Sequence, residues 1–225
     1  MTVGTKTKRE KLAEREDAIV SAATEAFLEK GMSAAKMAEI AASAGVAEGT
    51  LYLYFKNKEA LFAAVVARHW ESLTEGATAA IAKADSPDDQ LEALARYTLR
   101  RILADWKLFE LSFVLHYPVK EDGVGSDRRG YVRIFDQIVA RGIDRGTFAP
   151  EADPRLVRDL FFGTIEYAVR SILQTGKNPK LEPVVIMLLT AVRAVLKPGQ
   201  GQARTPDHAE RIEAAVTRLE KLAER

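Results

Sequence analysis

Apolar residues recur along this chain at helical spacing, and almost never in the strict alternation that a half-buried strand needs. Ile19, Ala23, Ala26 and Phe27 set the pattern, one stripe at i, i+4, i+7 and i+8. Alanine, leucine, glutamate, lysine and arginine dominate, and all of them lose little rotamer freedom in a helix. Gly31 stands where a helix would place its C′ residue. Ser33 is then the expected N-cap of a second helix running to about Ala44, where Gly45 stops it. A third, short helix is expected from Ala47 to Phe55, and Asn57 can cap a long fourth helix over Lys58–Ala84.

The same punctuation continues. After "DSPDD" a helix is expected to about Ala104, another over Trp106–His116, and a loop over "PVKEDGVG". Ser126 to about Arg145 reads helical, and "GTFAPEADP" is a turn that leaves Asp153 and Pro154 as N-cap and N1 of the next helix. That helix runs to about Thr175. Leu181–Leu196 is apolar nearly all round and is expected to be buried. "KPGQGQARTPD" reads as a linker, and Asp207–Glu224 as a charged amphipathic helix. The fold class is therefore all-α, with three short helices leading into a larger helical bundle.

Composition narrows the chemistry. With 225 residues, 47% of them apolar, the chain can bury a sizeable core. Cysteine is absent, which removes disulfides, thiolate nucleophiles and cysteine-ligated metals and suits a reducing cytoplasm, the expected location. The longest apolar run, around Val184–Leu189, is far too short to span a bilayer, so no membrane is expected as a partner. Lys6, Lys8, Arg9 and Lys11 are followed by charged sequence rather than an apolar stretch, unlike a secretory signal. His69, His116 and His208 are scattered without metal-ligand spacing. No glycine-rich phosphate loop follows a strand, and no nucleophile-base order stands out, so no cofactor, no metal and no enzymatic activity are expected. Net charge is only +1, so any nucleic-acid footprint must be local.

One local stretch has that character. In "AGVAEGTLYLYFKNKEAL", Gly45 makes a tight turn, while Val46 and Leu51 follow at the spacing of a compact helix-turn-helix. Leu51 and Phe55 lie at i, i+4 and anchor the third helix inward, which leaves Glu48, Gly49, Thr50, Tyr52 and Tyr54 at or near the surface. Such a helix can enter a major groove. Gly49 lets the backbone approach closely, and Thr50 can bond a base edge or touch a thymine methyl. Tyr52 and Tyr54 offer hydroxyls to phosphates, and Lys56 and Lys58 supply charge. Glu48 can accept from a cytosine amino group or pair with a lysine.

The segment "EKGMSAAKMAEIAASAGVAEGTLYLYFKNKEALF", Glu29–Phe62, resembles the TetR-type transcriptional repressors, and its glycine-tyrosine-lysine block is highly specific to them. Carried over by position, the resemblance implies that Lys36, Thr50, Tyr52, Tyr54 and Lys58 contact DNA. Members usually carry threonines near Ala35 and Lys36, and often arginine at Ala38. Their absence here implies that the second helix reads less sequence and holds more phosphate. The resemblance also implies three regions: a helix-turn-helix domain over 1–56 with a flexible basic tail at about 1–10, a ligand-binding and dimerisation domain over 57–197, and a linker with a terminal helix over 198–225. The partners it implies are a palindromic double-stranded operator, a small hydrophobic effector and a second copy of the chain. Gly163 would permit close approach of two copies.

For the effector, Trp70, Trp106, Phe109, Phe113, His116, Tyr131, Phe135, Phe162 and Tyr167 are the candidate lining residues, since an apolar pocket with a few polar groups suits a hydrophobic ligand. "AGVAEGTLYLYFKNKE" and "FFGTIEYAV" look like segments of the subgroup that controls fatty-acid degradation and responds to acyl-CoA. Arg100, Arg101, Arg128 and Arg129 would then serve its phosphates. Two other classes stay open on sequence: a non-specific architectural DNA-binding protein, whose affinity would be nearly all salt-dependent, and a helical-bundle enzyme, which would turn over a bound ligand.

Overall fold

The computed structural model describes residues 7–114, 125–175 and 180–196. All the regular structure among them is helical: α1 (Lys8–Ala34), α2 (Met37–Ser43), α3 (Glu48–Tyr54), α4 (Lys58–Ile81), α5 (Pro87–Ala104), α6 (Trp106–Val114), α7 (Gly125–Asp144), α8 (Pro154–Thr175) and α9 (Leu181–Leu196). The expected loop over "PVKEDGVG" falls almost wholly outside the described residues, and the terminal linker and the Asp207–Glu224 helix fall wholly outside them.

Local chemistry accounts for the boundaries. Thr7 and Glu10 form a reciprocal capping box at the start of α1, so residues 8–10 of the expected basic tail belong to a helix. Gly31 breaks α1 near its end with φ 75°. Met32–Ala34 then complete one more turn, which carries the next N-cap past Ser33 to Lys36 and corrects the sequence expectation. Asn57 accepts from the Ala60 N–H at 2.8 Å and caps α4, and Ser86 caps α5 ahead of Pro87.

Helices α1 to α3 pack into a head with Ile19, Phe27, Ile40 and Leu51 at its centre. Leu61 and Phe62, from the first turn of α4, are buried in the same core, and Phe62 meets Phe27 edge-on with ring centroids 5.4 Å apart. Helix α4 then continues into the bundle, where it packs on α5 and α7. Helix α5 touches α7, α8 and α9, and α8 lies along α9. Paired charges clamp α5 to α9: Arg96 holds Glu182 through two bonds of 2.6 and 2.7 Å, and Arg193 holds Asp88 at 2.7 Å.

Helix α9 departs from the sequence reading. Val185, Leu188, Leu189 and Val192 are buried, but Ile186 and Met187 are more than half exposed. An apolar circumference does not force full burial when one flank of the helix lacks a neighbour in the same chain.

The turn after α7 folds back tightly on Gly142, where a Cβ would stand 1.9 Å from Cδ2 of the buried Phe148. A Cβ at Gly130, on the same helix, would meet nothing within 4 Å. Gly142→Ala is therefore expected to destabilise the fold by about 2–3 kcal/mol through overpacking. Gly130→Ala should instead be neutral or stabilising by up to about 1 kcal/mol. Urea unfolding of the two variants checks this, and equal effects would contradict it.

Candidate nucleic-acid interface and effector cavity

The helix-turn-helix is built on three backbone bonds around Gly45. Ala44 N–H donates to Ile40, Gly45 N–H to Ala42 and Val46 N–H to Ala41, at 2.9, 3.1 and 3.0 Å. Gly45 takes φ 69°, a conformation open to glycine at little cost. Leu51 is fully buried and Phe55 nearly so, which fixes the rotation of α3 about its axis. Glu48, Gly49, Tyr52 and Leu53 then face solvent, while Thr50 and Tyr54 are half-buried at the flanks. Leu53 is the residue that sequence reading passed over, and at 85% it is the most exposed large apolar side chain among the described residues. The signal was available, because a residue two positions from Leu51 lies about 200° around the helix from it.

Two lysines behave differently. Lys36 at the start of α2 is well exposed, with its ammonium 3.7 Å from Glu39. Glu39 itself takes a bond of 2.8 Å from Lys30, which holds its carboxyl below the usual range. Lys58 points back into the head, where its ammonium donates to the carbonyls of Ser33 and Ala35 at 3.0 and 3.1 Å. Two of its three donors are thus engaged inside the protein, pinning the start of α4 to the α1–α2 turn. From Glu29 to Glu59 four lysines are balanced by four glutamates, so the face offers shape and hydrogen bonding more than net charge.

In the bundle, a cavity of about 230 Å³ lies among α4, α5, α6, α7 and α8. Its apolar wall is Trp70, Leu73, Ile102, Phe109, Tyr131, Val132 and Phe162, and its charged edge is Arg128, Arg158, Asp159 and Glu166. Trp70 lies 6.1 Å from Phe109 and 5.8 Å from Tyr131, and Tyr131 lies 5.9 Å from Phe162, centroid to centroid. The Tyr131 hydroxyl is spent on Thr98 Oγ1 at 2.6 Å, and burial pushes its pKa upward. Arg158 is steadied by Asp136 on α7, at 3.0 and 3.2 Å.

The structure thus brings Trp70, Phe109, Tyr131 and Phe162 together. It sets Trp106 beside Phe109 with Arg170 over its ring at 5.2 Å, outside the cavity wall. Phe135 is sealed in the core against Phe161, 5.0 Å away. Tyr167 is 76% exposed on the outer flank of α8, because it follows the cavity-lining Glu166 by one residue and so points about 100° away. Phe113 belongs to α6 with a side chain outside the described set, and His116 is outside the described residues. Of the arginines considered, Arg128 lines the cavity, Arg101 pairs with Asp105 at 2.7 Å, and Arg100 and Arg129 are exposed. Among the residues not foreseen, Leu73 lies one turn from Trp70, and Arg158 and Glu166 lie one turn from Phe162.

Outside the cavity, α8 and α9 share a groove lined by Thr164, Tyr167, Ala168, Ile172, Val184 and Met187. Leu156 and Leu173 on α8 and Ile186 and Val195 on α9 are also exposed apolar residues. Gly163 lines both spaces, and its backbone is all that covers that point of α8.

Among the described residues, no helix is long and apolar enough to cross a membrane, and no cluster of metal-ligating side chains forms.

Residues 19–65 match the bacterial regulatory proteins of the tetR family, and residues 125–186 match the C-terminal region of YsiA-like proteins. The fatty acid metabolism regulator protein of Bacillus subtilis is 33% identical over 159 residues, spanning 67% of this chain and 79% of that protein. The fatty acid degradation regulator FadR from Bacillus halodurans superposes with a TM-score of 0.67 at 25% identity, covering 89% of this chain and 99% of the other. The regulator FadR from Bacillus subtilis in complex with stearoyl-CoA superposes with a TM-score of 0.64 at 25% identity, covering 78% and 96%.

Two outcomes follow from the packed polar groups. Lys58→Met removes two charge-assisted bonds and should lower stability by about 1–2 kcal/mol in urea unfolding; an unchanged midpoint would contradict the pinning role. His69 is buried beside Trp70 with its Nε2 unpartnered, and burial lowers its pKa from 6.5 to about 4. The unfolded chain therefore takes up that proton first as pH falls. The stability is full above about pH 6.5 and declines toward pH 4. In His69→Leu, the acid-induced loss across that window should shrink by about 3 kcal/mol. An identical pH profile for the two proteins would remove His69 as the cause.

Proposed function

Because the chain belongs to the tetR family of bacterial regulatory proteins, and is a transcriptional regulator rather than an enzyme, we propose that it is a repressor released from its operator by a long-chain fatty acyl-CoA. The observation that carries this reading is the aromatic-walled cavity with two arginines at its edge, on the bundle side of a helix rooted in the DNA-binding head. An acyl chain matches the apolar wall, and Arg128 and Arg158 suit the phosphates of a CoA head. The Bacillus subtilis relative in complex with stearoyl-CoA supports the same ligand class.

The repressor acts as a homodimer. The exposed apolar residues of α8 and α9 support this, as they suit a four-helix contact between two copies. Each copy presents α3, with Lys36, Glu48, Gly49, Thr50, Tyr52 and Tyr54 as the DNA-contacting set and Lys58 mainly as their support. A twofold dimer reads a palindromic operator whose half-sites lie roughly 34–36 Å apart.

The volume of the cavity suggests how ligand and DNA compete. At about 230 Å³ it falls below the roughly 300–1,000 Å³ of typical ligand sites, so a long acyl chain needs the helices to part. Phe62 in the head core and Trp70 at the cavity are eight residues apart on α4, about 12 Å along one rod. Parting the cavity therefore moves the heads, and the ligand selects conformers in which their spacing no longer fits the operator.

A thermal-shift series with stearoyl-CoA, acetyl-CoA and free CoA, followed by displacement from a duplex selected out of a random pool, tests the proposal. At 100 times its Kd the long-chain form should stabilise by about 2.7 kcal/mol, and it should release the duplex. Free CoA and acetyl-CoA should do neither. A flat series would discard the acyl-CoA assignment.

A further inference from the structure

Leu53 is 85% exposed, more than any other large apolar side chain among the described residues. Burying a leucine is worth about 1.5–3 kcal/mol, so a helix that keeps one in water forgoes a sizeable gain. Rotation of α3 cannot recover it, because Leu51 and Phe55 hold the opposite face in the core. Gly49, one turn before Leu53, has no side chain, and a Cβ there would meet nothing within 4 Å. The leucine therefore stands beside an open gap, with Tyr52 next to it at 47% exposure. Lys56 is exposed three residues after Leu53 and Glu48 one turn before Tyr52, so the face carries both signs of charge around the leucine.

A leucine side chain offers no donor and no acceptor. The one apolar group that a base pair presents in the major groove is the thymine 5-methyl. We propose that Leu53 is a specificity-determining residue that packs against a thymine methyl in each operator half-site, with Gly49 providing the room for the base edge. This rests on the DNA-reading function proposed above. It assigns to an apolar contact a share of the sequence preference that the balanced charges of the head do not supply.

Duplexes selected from a random pool by the full-length protein provide the test. Each thymine of the selected half-site is replaced in turn by deoxyuridine, which removes only the methyl. One position should weaken wild-type binding by roughly fourfold, the equivalent of one buried methyl. The same replacement should change binding of Leu53→Ala by less than about 1.5-fold, so that the two losses are not additive. Leu53→Met, which keeps an apolar tip, should retain the sensitivity. Equal losses in wild type and Leu53→Ala at every position would overturn the proposal, as would a wild type indifferent to every replacement. So would a Leu53→Ala variant altered only in self-association. A protein that selects no duplex at all would overturn the DNA-reading function itself, a result distinguishable from these.

Discussion

Helix α4 carries residues of two packed regions on one rod. Leu61 and Phe62 are buried in the head with Phe27, and Trp70 and Leu73 stand two turns further on at the wall of the cavity. Hydrophobic burial at both ends ties these regions together. A close-packed interior transmits displacement instead of absorbing it. Lys58, bonded to the carbonyls of Ser33 and Ala35, and Arg68, paired with Asp17, fasten α4 to the head with polar contacts as well. The regulatory behaviour proposed for this family member depends on that one helix remaining stiff.

The polar groups serve orientation more than net stability. Arg96 and Arg193 hold α9 against α5 while partly exposed, where ion pairs contribute modestly. Their effect is to set which flank of α9 turns outward, and that flank carries Ile186 and Met187. The Thr98–Tyr131 pair satisfies a buried hydroxyl and leaves the Tyr131 ring as an apolar wall. His69 lacks such a partner and remains neutral instead.

Elements set by local chemistry were readable in the sequence. Gly31, Gly45, Asn57 and the Asp153–Pro154 pair mark helix ends through backbone and cap requirements that act within a few residues, and the helix-turn-helix is built from just such signals. Ser33 suits an N-cap by residue type, but the chain adds one more helical turn after Gly31 and places the next N-cap at Lys36. The cavity was half legible. Four of the aromatic candidates line it, yet five helices meet there, and the sorting of Phe135 into the core and Tyr167 onto the outer face depends on contacts distant in sequence. The resemblance implies Lys58 as a DNA contact, but nothing local in the sequence points to its carbonyl partners, which lie 25 and 23 residues away. The exposure of Leu53 follows from the rotation that Leu51 and Phe55 impose on α3, although its side chain alone suggests a core residue.

The central claim is that cavity and operator compete through one structural equilibrium. The most direct measurement compares two ratios under the same salt: the loss of duplex affinity caused by saturating stearoyl-CoA, and the loss of stearoyl-CoA affinity caused by saturating duplex. Linkage requires the two factors to be equal, and both should exceed about tenfold. A stable ternary complex, with ligand binding indifferent to bound duplex, would contradict it.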